Sequence, residues 1–134
     1  METVKEQLIR YEGLRLHVYK CPAGFQTIGV GRNLEGKGIT KEEAMILLDN
    51  DIDEFKFALE ETYDWFENLS ESRQAVIINM AFNLGMSGFG KFKKMISAIE
   101  SFDWDEASVQ MMHSRWATQV GRRAEELSEA MKEG

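Results

Sequence analysis

YEGLRLHVYKCPAGFQTIGVGRN, Tyr11 to Asn33, decides how the chain is read. It opens on Glu12, which closes a helical pattern: Val4, Leu8 and Tyr11 recur at helical spacing, and Gly13 is a natural stop. The segment LRLHVYK then alternates Leu14, Leu16 and Val18 with Arg15, His17 and Tyr19, the pattern of a half-buried strand. In CPAG, Pro22 fixes φ and Gly24 accepts a positive φ, so a turn is expected. FQTIGVG completes a β-hairpin, and Gly29, Gly31, Gly36 and Gly38 mark a flexible or closely approached connection.

Beyond the hairpin the text turns helical. Thr40 and Glu43 form a capping box ahead of a long helix running to Phe66. Ala44, Leu47, Leu48, Ile52, Phe55 and Leu59 share one of its faces. Ser70 caps a second helix, apolar nearly all round and ending at Gly85, as expected of the buried centre of a bundle. Three further segments, around Ile96, Val109 and Leu127, supply short helices. The fold class is α+β: an N-terminal helix (1–12), a small β-hairpin lobe (13–39) and a larger helical lobe formed by 1–12 with 40–134, in a single domain.

Composition narrows the function. At 134 residues the chain can bury a core without staples, and its single cysteine forms no internal disulfide. The net charge of −7 argues against non-specific nucleic-acid binding. That acidity is local, because Thr40 to Glu71 carries eleven acids against two lysines. Lys91, Lys93 and Lys94 form a basic cluster free of acids. The N-terminal METVKEQLIRYEG has no apolar signal core, and no run approaches bilayer length.

Most chemical motifs are absent. His17, His113 and Cys21 lack ligand spacing, so no metal is expected. GVGRNLEGKG lacks both the third glycine of a dinucleotide loop and the Lys-Ser/Thr of a phosphate loop, and there is no GxSxG elbow. Glu12 stands apart. At the C-terminal end of a helix the macrodipole is negative, which favours the protonated carboxyl, and packing against Leu8 and Leu14 would favour it further. A protonated carboxyl is what a general acid needs. Alone, Cys21 reads as an inert small hydrophobe and Thr27 as a strand former.

Taken together, Glu12, Cys21 after eight intervening residues and Thr27 after five more resemble the Glu–Asp/Cys–Thr triad of T-even-phage-type lysozymes, glycoside hydrolase family 24. EGLRLHVYK, TIGVG, ITKEEA, INMAFNLG, WDEA and SRWATQ…GRRAEEL follow in that family's order over nearly the whole chain. The resemblance implies a lysozyme-like fold with a cleft between its lobes. It also implies an endolysin that hydrolyses the β-1,4 bond between N-acetylmuramic acid and N-acetylglucosamine of peptidoglycan, without a cofactor. By this resemblance Glu12 is the general acid, Cys21 and Thr27 flank the attacking water, and Arg123 supports the glutamate, with Arg122 leaving the register open by one. Phe82 and Asn83 fall where the family lines its cleft. The family's habit implies a monomer that accumulates in the host cytoplasm, is released through a holin and acts on the wall in the periplasm; no nucleic-acid partner and no stable membrane insertion are expected.

Two departures stand out. Cys21 occupies the place of a common aspartate, and a thiol is mostly neutral at pH 7. Arg32 stands where many relatives have histidine, and the lobe between TIGVG and ITKEEA is short. A lytic transglycosylase working with one acid/base, and a binding module that has lost catalysis, are the rival expectations.

Overall fold

The computed structural model describes residues 1–134. Helix α1 (Val4–Glu12) starts on Thr3, whose Oγ1 accepts the Glu6 N–H at 3.1 Å. It stops where Gly13, at φ 80°, donates its N–H to Ile9 O. Strands β1 (Arg15–Lys20) and β2 (Gln26–Gly29) pair antiparallel, with Tyr19 opposite Thr27 and a register irregularity between Arg15 and Tyr19. The Cys21–Gly24 turn is closed by the Gly24 N–H on Cys21 O at 2.8 Å, with Gly24 at φ 89°.

The hairpin gains a third member. Strand β3 (Arg32–Asn33) pairs antiparallel with β2, giving the order β1-β2-β3. It is two residues long, too short to register as a strand pattern, and the glycines around it read as a connection. Another expectation fails: Leu14, Leu16 and Val18 are 59%, 76% and 53% exposed. Alternation specifies a strand, whereas burial needs a second layer over that face, and nothing covers these side chains.

Helix α2 (Lys41–Thr62) begins with the expected capping box: Thr40 Oγ1 accepts the Glu43 N–H, and Glu43 Oε1 accepts the Thr40 N–H at 2.8 Å. It ends four residues before Phe66, which instead opens a one-turn 3-10 helix (Phe66–Asn68). Burial along its apolar face rises toward the C-terminus: Leu47 and Leu48 are exposed, Ile52 and Phe55 half-buried, and Leu59 fully buried.

The chain divides into two compact units, Met1–Leu47 and Leu48–Gly134. This division places residues 1–12 with the hairpin, whereas the sequence reading grouped them with the helical lobe. The second unit is built on helix α3 (Glu71–Phe89), capped by Ser70 Oγ on the Arg73 N–H. Gly85, at φ 76° and ψ 161°, breaks the helical path where the sequence reading ended the helix, and the chain resumes helical geometry to Phe89. Helices α4 (Lys93–Glu100), α5 (Trp104–Met112), α6 (Arg115–Val120) and α7 (Arg122–Glu133) complete the unit.

Its core gathers Leu59, Phe66, Ile77, Met80, Phe89 and Met111, each fully buried. Burial of each such side chain is worth about 1.5–3 kcal/mol. Arg73 ties α3 to the end of α7, donating from Nε to Met131 O at 2.7 Å and from Nη2 to Lys132 O at 3.1 Å. Its guanidinium also lies 3.9 Å from the Trp104 ring centroid. No helix is long and apolar enough to cross a membrane.

Candidate active site

Glu12, Cys21 and Thr27 line one cavity of the first unit, about 500 Å³ in volume. Each arrives from a different piece of local structure: Glu12 is the last residue of α1, Cys21 opens the hairpin turn, and Thr27 lies in β2 opposite Tyr19. Arg15, Lys20, Gly31 and Asn33 contribute to the same walls. The sequence reading gave none of these four a role in the site.

The three central side chains differ in environment. Glu12 is exposed, and so are Leu8 and Leu14 at 49% and 59%, so the expected burial of the carboxyl against them is absent. The carboxyl does lie at the negative end of α1. Thr27 is 2% exposed, and its hydroxyl donates to Phe25 O at 2.8 Å, which fixes the rotor and leaves the oxygen's lone pairs as acceptors. Cys21 is half-buried, and its backbone N–H donates to Phe25 O at 2.9 Å.

The Cys21 thiol is held below its ordinary value, chiefly by hydrogen bonding from the Phe25 backbone. Burial opposes the shift, while the Ala23 and Gly24 backbone and the Thr27 side chain reinforce it. The Thr27 hydroxyl has a single proton, already committed to Phe25 O, so its share requires that bond to turn. Hydrogen-bond donors around a sulfur favour thiolate, the form able to take a proton from water.

A charged clamp buttresses this unit. Arg32 Nη1 and Nη2 reach Glu43 Oε1 and Oε2 at 2.9 and 2.7 Å, and Nη1 also donates to Gly38 O at 3.0 Å. The fork of Arg32, followed by the Thr40 N–H, holds the Glu43 carboxyl at about 2, below its ordinary 4.5. A depressed carboxyl stabilises the folded state above pH 4.5, and that contribution fades as pH falls toward 2. Glu43→Gln is therefore expected to lower the melting temperature at neutral pH, with the difference from wild type shrinking between pH 4.5 and 2. Thermal unfolding across that range reads it, and a difference independent of pH would contradict the clamp.

The second unit has a cavity of its own, about 370 Å³, lined by Leu48, Ile52, Ile78, Asn79, Phe82 and Arg123. Arg123 donates from Nε and Nη2 to Asn79 Oδ1 at 2.9 and 2.6 Å, whereas neighbouring Arg122 is 89% exposed and faces Glu126 at 3.7 Å. Asn79 thus orients an arginine, a partnership separated by 44 residues and invisible to local spacing. Phe82 packs against Phe55 at 5.6 Å between centroids and stays 42% exposed. Lys91, Lys93 and Lys94 line a separate groove with Gln110 and His113.

Asn83 has a structural duty. Its Oδ1 accepts the indole N–H of Trp116 at 2.8 Å, and Trp116 is 4% exposed. Asn83→Ala strands that buried donor and is expected to cost about 1–3 kcal/mol. Equilibrium denaturant unfolding measures the loss, and unchanged stability would show that the bond contributes nothing.

A small three-stranded antiparallel sheet followed in the chain by a unit of helices gives the molecule a lysozyme-like α+β fold. The chain belongs to the phage lysozyme family, whose model matches residues 9–132. Among its relatives is the probable T4-type lysozyme 2 of Dictyostelium discoideum, 28% identical over 100% of this chain and 96% of that protein. The endolysin of Acyrthosiphon pisum secondary endosymbiont phage 1 is 33% identical over 85% of this chain and 78% of its own. The pre-baseplate central spike protein of Enterobacteria phage T4 is 30% identical over 94% of this chain, which spans 27% of that protein. This chain is a lysozyme-type peptidoglycan hydrolase.

Proposed function

We propose that the chain is an endolysin that cleaves the β-1,4 bond between N-acetylmuramic acid and N-acetylglucosamine, with Glu12 as general acid. The observation that carries this reading is the convergence of Glu12, Cys21 and Thr27 on one cavity. Glu12 gives its proton to the glycosidic oxygen as the bond from that oxygen to C1 breaks, and positive charge develops at C1. Water held near Thr27 attacks C1 and passes its proton to the Cys21 thiolate. Solvent exchange then returns a proton to Glu12 and removes one from Cys21. Attack by water from the side opposite the leaving group inverts the anomeric centre.

On the helical unit, Arg123 supplies a cationic group held by Asn79, and Phe82 offers an exposed ring to a sugar face. Asn83 retains its amide N–H groups for a sugar acetamido carbonyl while its oxygen serves Trp116. Residues 1–134 act as one monomeric lysozyme domain, on the wall of the periplasm after holin-dependent release from the host cytoplasm. Glu12 is the only carboxylate lining the cavity it shares with Cys21 and Thr27, which favours a lytic transglycosylase as the second reading. Proton NMR of the newly formed reducing end separates the possibilities. An α-anomer formed first supports water attack with inversion, a β-anomer indicates retention through a covalent intermediate, and no reducing end at all indicates transglycosylation.

A further inference from the structure

Gly29 and Gly31 flank Val30 where the chain reverses from β2 to β3, and both have a left-handed backbone, at φ 70° and 66°. A side chain at either position carries a similar conformational strain. Their surroundings differ. A Cβ at Gly29 would meet nothing within 4 Å. A Cβ at Gly31 would lie 2.8 Å from Glu12 Oε2, 3.2 Å from Cδ and 3.3 Å from Cγ. All three contacts fall on one residue and run along its carboxyl end, closer than nonbonded atoms sit at their optimum.

We propose that Gly31 is a positioning residue for the Glu12 carboxyl, and that its missing side chain is the slot in which that carboxyl lies. The catalytic half of this inference rests on Glu12 being the acid. Glutamate has three side-chain torsions, and this one is exposed, so an adjacent wall restricts where its proton is presented. Moving a reacting group by about 1 Å is enough to cost about 100-fold in rate. The backbone at Gly31 therefore meets two demands at once: it turns the chain into β3, and it leaves room for the acid.

Gly29→Ala is the matched control, because it imposes the left-handed strain without touching Glu12. Thermal unfolding of both alanine variants, alone and combined with Glu12→Ala, reads the contact independently of activity. Gly29→Ala is expected to lower the melting temperature by about 3–8 °C in either background. Gly31→Ala is expected to lower it further, and the excess disappears once the Glu12 side chain is gone. In turnover on peptidoglycan, Gly31→Ala is expected to lower kcat by about 10–100-fold with KM within about threefold. Gly29→Ala should stay within about threefold of wild-type kcat.

An excess that persists without the Glu12 side chain would overturn the proposal, and so would equal kcat losses in the two glycine variants. If Gly31→Ala fails to fold alone, folding restored by Glu12→Ala supports the contact, and failure in both backgrounds overturns it. Full turnover by Glu12→Gln would remove the acid reading instead, and the unfolding data would still decide the contact.

Discussion

Glu12→Gln is expected to lower turnover on peptidoglycan by about 10²–10⁴-fold, the range a positioned general acid contributes. The substitution keeps the shape of the side chain and removes only the transferable proton. Since Glu12 is exposed at the end of α1, the melting temperature should change little. A rate loss with intact stability therefore isolates chemistry from folding. Activity assays on purified walls, paired with thermal unfolding, check both halves, and a Glu12→Gln protein of full activity would leave the cavity without its acid.

Cys21 variants give the second large effect. Cys21→Ala is expected to lower turnover by about 100-fold, as loss of a positioned base would. Cys21→Ser keeps a polar group of similar size but not one that ionises near neutral pH, so it too is impaired. Cys21→Asp restores a proton acceptor and keeps most activity, with the acidic limb of its pH profile moved down toward an ordinary carboxyl near about 4. On the proposed mechanism, the wild-type limb is expected to follow the thiol, held below its ordinary value chiefly by the Phe25 backbone. Iodoacetamide inactivation should follow the same limb, accelerating with pH and levelling off below the range of a free cysteine. Full activity in Cys21→Ala would take the residue out of the mechanism.

Local text specified much of this molecule. Gly13, the CPAG turn, the Thr40–Glu43 capping box and the Ser70 cap all act where the sequence places them. Each is a contact within a few residues, so composition and spacing suffice to find it. The triad spacing likewise brought three residues together, because the hairpin that joins them is itself local.

What escaped depends on distance or on tertiary covering. Strand β3 exists through pairing with β2 rather than through any pattern of its own two residues. The exposure of Leu14, Leu16 and Val18 follows from what does not cover them, which alternation cannot report. The partnerships of Arg123 with Asn79 and Trp116 with Asn83 span 44 and 33 residues. Gly31 was visible only as one glycine among several, since the Glu12 carboxyl beside it is a feature of the folded unit. The Arg32–Glu43 clamp joins a residue noted as a departure to one noted as a cap, and only the fold shows the two meeting.

Mass spectrometry of the muropeptides released from purified Gram-negative peptidoglycan, by wild type and by Glu12→Gln, tests the central claim most directly. Products ending in reducing N-acetylmuramic acid, formed by the wild type and lost in the variant, are the predicted result. Anhydromuramic ends, or equal yields from both proteins, would contradict it.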